Sequence, residues 1–109
     1  MSEKTLHNSD ISGATKNVPD IQKFGDGDMF KLLCKASSKK EDWMKSTKAM
    51  EIRGIGCIVQ VTTQQGNNVA EAVTFVPNVR IVDDEKCNGR KLVMDSPTTA
   101  WGNYYGTME

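Results

Sequence analysis

GCIVQVTTQ at 56–64, QGNN at 65–68 and VAEAVTFV at 69–76 together decide the fold. In the first run Cys57, Val59, Val61 and Thr63 alternate with Ile58, Gln60, Thr62 and Gln64, and β-branched residues dominate. A period of two with that composition predicts a strand. Gln65-Gly66-Asn67-Asn68 supplies the turn chemistry of a hairpin loop. The returning strand carries Val69, Val73 and Phe75 on one face, interrupted by Glu71, which suggests that Glu71 lies near the open end of the sheet.

Downstream, Pro77 lacks an N–H for a ladder and ends the pairing. Val79–Val82 is a short strand, and Lys91–Met94 is expected to pair back with it across the charged loop DDEKCNGR, 83–90, whose Asn88-Gly89 is a strong turn dipeptide. Upstream, DMFKLLCKA at 28–36 places Phe30, Leu32, Cys34 and Ala36 on one face at period two, after the turn Gly25-Asp26-Gly27-Asp28. Between them, WMKSTKAMEI at 43–52 has two readings. Ser38 and Glu41 match a helical capping box, while Trp43, Lys45, Thr47 and Ala49 alternate as a strand would; the strand is preferred. Arg53-Gly54-Ile55-Gly56 then turns into the next strand. The expectation is a mainly β domain over 28–94: five to six short strands in a small antiparallel meander sheet or partly closed barrel. Residues 1–27, with few large apolar side chains, are read as a loose, flexible N-terminal tail. Residues 95–109 are read as an aromatic C-terminal tail, with Trp101, Tyr104 and Tyr105 as anchors that fold back over the sheet or project as a recognition peptide.

Charge bounds the partners. Fourteen Lys and Arg balance fourteen Asp and Glu, so the chain as a whole does not attract a polyanion. The distribution is uneven. Over 29–53, seven cations (Lys31, Lys35, Lys39, Lys40, Lys45, Lys48, Arg53) face three anions (Glu41, Asp42, Glu51), a net charge of +4 between two stretches of net −2. The lysines flank Trp43, and lysines plus an exposed aromatic are the ingredients of single-strand nucleic-acid binding. Arginine, the better phosphate partner, occurs there only once. Those six lysines and Trp43 are therefore candidates for contact with nucleic acid or a protein partner, and a solvated face with Trp43 in the core is the rival reading.

Three cysteines, Cys34, Cys57 and Cys87, form no CxxC pair. Cys34 and Cys57 lie in apolar runs, where buried thiols act as small hydrophobes, and this points to a reducing, cytoplasmic compartment. The start MSEKTLHNSD has no apolar signal core, and no run is long enough to span a membrane. Catalysis has little to work with. The single histidine, His7, falls in the loose segment, where a general base would lack fixed geometry. No nucleophile, zinc or phosphate-loop motif occurs. The acidic run Asp83-Asp84-Glu85 reads as solvated loop, and the 25–28 turn lacks the rest of a calcium loop. No catalytic, cofactor or metal residue is assigned.

The run from Glu41 to Ile81, with WMKSTKAM at 43–50, CIVQVTTQQ at 57–65 and AEAVTFVP at 70–77, resembles a group of small uncharacterised proteins encoded by bacteriophages and prophages. That resemblance implies a phage product acting in the bacterial cytoplasm or a minor particle component. It carries over no site residue and does not reach the tails. The combined expectation is a small accessory protein, not an enzyme, that binds a host or phage protein. Exposed strand edges would serve for β-augmentation or self-pairing, with Thr62, Thr63, Gln64 and Gln65 suited to such an edge and equally to a solvent-facing hairpin end. Nucleic-acid binding through 31–48 and an oligomeric structural subunit are the alternatives.

Overall fold

The computed structural model describes residues 4–95. It is mainly β: a four-stranded antiparallel meander, β1 (Lys31–Ser38), β2 (Trp43–Ile52), β3 (Gly56–Gln65) and β4 (Asn68–Pro77), in that spatial order. A separate hairpin follows, β5 (Val79–Asp84) and β6 (Gly89–Met94). The sheet stays open and does not close into a barrel. The hairpin predicted at 56–76 forms around a two-residue Gly66-Asn67 turn, with Gly66 at φ 60°, a conformation that glycine adopts without strain. Residues 43–52 are strand. The Ser38–Glu41 signal is a real hydrogen bond, the Glu41 N–H donating to Ser38 Oγ over 3.1 Å, but it closes the β1–β2 loop and starts no helix.

The register shows how the sheet is covered. Cross-strand partners share a face, so Ala49, Glu51, Cys57 and Val59 lie on one side and Met44, Ser46, Thr62 and Gln64 on the other. The β5–β6 hairpin packs on the first side, and its Val79, Ile81 and Leu92 close over Leu33, Ala49, Cys57 and Val59. Three polar contacts hold it there. The Ile81 N–H donates to Glu51 Oε1 over 2.8 Å, Arg90 Nη1 donates to the Leu32 carbonyl over 2.8 Å, and Cys57 Sγ lies 3.7 Å from the Val79 carbonyl. We call this side the hairpin face.

The opposite side is covered at the other end of the strands by the N-terminal segment. Its regular structure is one 3-10 turn (Thr5–His7) and one helical turn, α1 (Ile11–Ala14). Asp10 caps α1 through the Gly13 amide, and Asp28 accepts from the Ile11 and Ser12 amides and the Ser12 hydroxyl. Two of its residues, His7 and Ala14, are buried, a docking that the composition of this segment did not signal.

Two expectations about β1 are corrected. A bulge between Leu32 and Cys34 shifts the register, so Leu33 enters the core while Cys34 and Ala36 are exposed. A bulge puts two residues opposite one and reverses the phase of a period-two pattern. Cys57 is buried; Cys34 and Cys87 are not. No helix among the described residues is long and apolar enough to cross a membrane. The tail anchors Trp101, Tyr104 and Tyr105 lie outside the described residues.

Candidate functional site

β4 differs from every other strand. Nine of its ten residues are exposed, on both faces. The β5–β6 hairpin packs mainly on β1, β2 and β3, and the 3-10 turn on β2, and β4 is left exposed beside them. Among the described residues it is an edge strand, paired only with β3. In an antiparallel ladder, alternate residues turn their N–H and C=O away from the partner. Gln65 and Asn68 close the two-residue turn as a hydrogen-bonded pair, so counting from them the outward groups belong to Val69, Glu71, Val73 and Phe75. Those side chains share one face, and the three apolar ones are well exposed, Val73 at 61%. Glu71 is the single charged residue of β4, and its carboxylate accepts from Gln60 Nε2 over 3.1 Å.

The other sheet edge is defended. β1 carries Lys31 and Lys35 and the bulge, and β6 packs against it. Interruptions of this kind keep an edge from recruiting another strand. The edge expected at Thr62–Gln65 is therefore corrected: these residues lie in β3, an interior strand, with Thr62 and Gln64 buried. The open edge is its neighbour. Its sequence signal was the interrupted apolar face of VAEAVTFV.

An open cleft of about 500 Å³ runs beside the start of β4, between Trp43, Lys45, Thr63, Gln65, Asn68 and Ala70. Trp43 is half-buried, its indole N–H donating to Glu41 Oε1 over 2.9 Å. The lysine candidates do not form one surface. Pairing with Ser46 puts Lys35 on the N-terminal side, where its Nζ donates to the His7 carbonyl, and Lys48 lies on that side too. Lys31 and Lys45 belong to the hairpin face with Trp43, and Lys39 and Lys40 to the β1–β2 turn.

Beneath the N-terminal segment lies a polar layer of His7, Ser46, Thr62 and Gln64, all buried. His7 Nε2 is 3.7 Å from Asp42 Oδ1, an ion pair when the imidazole is protonated, and among the described residues neither this nitrogen nor Gln64 Oε1 has a hydrogen-bond partner. Lys4 Nζ donates to Asp42 Oδ2 (2.8 Å) and to the Gly66 carbonyl (2.9 Å), while the Gly66 N–H donates to the Asp42 carbonyl (2.9 Å). These bonds tie the N-terminus to both turns at that end of the sheet.

Asp28 and Cys57 are shifted. Burial pushes the Asp28 carboxyl up, but the Ile11 and Ser12 amides, the Ser12 hydroxyl and the charge of Lys48 outweigh it, and its pKa falls below the ordinary value. Burial, with the nearby Glu51 charge, raises the Cys57 thiol. Among the described residues, no group of three His, Cys, Asp or Glu side chains is placed to hold a metal ion.

The sequence model of the Lockin family matches residues 1–93, so the match spans the N-terminal segment and all but the last residue of β6. No curated protein and no solved structure matches the chain.

Proposed function

We propose that this chain, which belongs to the Lockin family, is a non-catalytic binding module that takes up an extended strand of a protein partner along β4. The observation that carries the reading is the uncovered β4 edge, undefended in a molecule whose opposite edge is defended. Strand addition draws affinity from the outward main-chain groups and specificity from the side chains beside them, here Val69, Val73 and Phe75. The likeness of 41–81 to phage-encoded proteins favours a bacterial or phage protein as the partner.

Nucleic-acid binding through 31–48 draws less support, because the lysines divide between two faces and a turn. A phosphate-tracking groove needs its cations on one surface.

The test is affinity capture, with and without nuclease, from lysate of bacteria that also express an untagged copy of the chain, using the tagged full chain and its Val73→Glu variant. Val73 is exposed, so the substitution leaves the core intact and places a charge on the edge. The expected result is a protein captured in both conditions and lost with Val73→Glu. Capture that survives Val73→Glu, or that disappears with nuclease, refutes the reading.

A further inference from the structure

We infer that the strand β4 takes up is β4 of a second copy of this chain, running antiparallel about a two-fold axis at Ala72 and joining two sheets into one of eight strands. The inference rests on the reading of β4 as the binding edge and names its occupant.

The first argument is the contrast between edges. An edge is filled by an extended peptide or by the free edge of a folded sheet, and most folded edges are defended. β1 of this chain could not serve, because of its lysines, its bulge and the packing of β6. β4 has one charged residue and no irregular register along its whole length, and proline occurs only as its last residue. A second copy presents the same surface by construction, and two-fold pairing of identical patches is the commonest form of self-association.

The second argument is register. The outward residues Val69, Glu71, Val73 and Phe75 must face outward residues of the other copy. An axis at Glu71 sets the two carboxylates directly opposite each other, an unfavourable pair. An axis at Val73 sets Val69 against Pro77, which has no N–H to give. The axis at Ala72 avoids both. It sets Val69 against Phe75 and Glu71 against Val73, each twice. On the hairpin face it brings together Ala70, Ala72 and Thr74, all small enough for close approach. The chain carries no net charge, so no long-range repulsion opposes the approach of two copies.

The third argument separates this occupant from the chain's own C-terminus. The family match contains β4 and ends at residue 93, before Trp101, Tyr104 and Tyr105. A copy supplies the edge and its occupant from the matched region alone.

The register makes the test specific. Sedimentation equilibrium of the full chain up to about 100 µM is expected to show a dimer. Val73→Glu sets a second carboxylate against Glu71 in two symmetric places and is expected to weaken the dimer about tenfold. Glu71→Lys added to Val73→Glu converts both contacts to opposite charges and is expected to restore it. With Cys34→Ser and Cys87→Ser as background, Ala72→Cys is expected to oxidise to a cross-linked dimer, since directly opposed residues of a non-hydrogen-bonded pair lie within disulfide reach.

A monomer at the top concentration that still captures a lysate protein through Val73 overturns the self-pairing and leaves the binding-module reading standing. A monomer that captures nothing ends both. A dimer indifferent to Val73→Glu, without the Ala72→Cys cross-link, overturns the inference by showing another interface. A monomer whose β4 amides resist hydrogen exchange, and lose that resistance with Trp101→Ala, assigns the edge to the chain's own C-terminal segment and overturns it equally.

Discussion

Met44→Ala tests whether the N-terminal segment covers the sheet. Met44 is 2% exposed, although Ser46, Thr62 and Gln64 on that face are polar, and the 3-10 turn around His7 packs on the same strand. Full burial of a methionine side chain stabilises by about 1.5–3 kcal/mol, and Met→Ala truncations in cores cost about 2–5 kcal/mol. Ser46, Thr62 and Gln64 line the site, so water can enter the space left behind, and the lower end applies: about 2 kcal/mol. A domain of this size unfolds in urea with a slope of about 1 kcal/mol/M. The midpoint should therefore fall by about 2 M with the slope unchanged. If the segment stood away from the sheet, Met44 would be solvated in the folded protein, and truncation would cost under about 0.5 kcal/mol, as at other surface sites. A midpoint shift under about 0.5 M would refute the docking.

Thiol chemistry should divide the cysteines. Cys34 and Cys87 are expected to react with a disulfide reagent in the native protein, and Cys57 only after unfolding, because burial and Glu51 disfavour its thiolate; three equally fast thiols would show that the hairpin does not seal the core. The depressed pKa of Asp28 gives a sign for acid behaviour. Its contribution is complete above the unfolded carboxyl pKa and is lost as pH falls through the lower folded value. The protection of the Ile11 and Ser12 amides, taken relative to their intrinsic exchange rates, should fall in that acid range, and protection independent of Asp28→Asn would contradict the capping role. A Cβ at Gly89 would strike the Leu33 carbonyl. Gly89→Ala should cost about 1–3 kcal/mol and make Cys57 reactive by loosening the hairpin; a variant as stable as the parent would mean that β6 does not press on the bulge.

Strand identity was legible in the sequence because it rests on local alternation. The run 56–64 and the turn 65–68 leave no helical alternative, and Val79–Val82 finds its partner in Lys91–Met94 as expected. Facing was less legible. On β2 the buried residues are Met44 and Ser46 and then Ala49, a reversal of phase that no single-strand pattern announces. It arises because two different elements cover opposite faces at opposite ends. On β1 the bulge exchanged Cys34 for Leu33. The burial of His7 and Ala14 was not legible because both are isolated among polar neighbours, and His7 docks through Asp42 and Lys35, far along the chain. The site was half visible: Val69, Val73 and Phe75 were seen to share a face, but exposure depends on what fails to cover them.

The same two covers explain why β4 offers an edge and not a face. On the N-terminal side Val69, Glu71 and Val73 lie beside Gln64, Thr62 and Gln60 of β3, so polar residues bound the apolar row. Only at Phe75 and Ile58 do two large apolar residues meet there. On the hairpin face the β4 residues Ala70, Ala72 and Thr74 are small, and a second layer laid over them would find few atoms to contact. Neither side has the broad apolar area that face-to-face packing requires. A strand added alongside uses different resources. It satisfies main-chain groups that already point outward, sets its side chains against Val69, Val73 and Phe75, and needs on the other face only the clearance that alanine and threonine leave. Composition, register and the absence of cover therefore all favour edge pairing, and each would have to be explained separately if β4 bound its partner through a face.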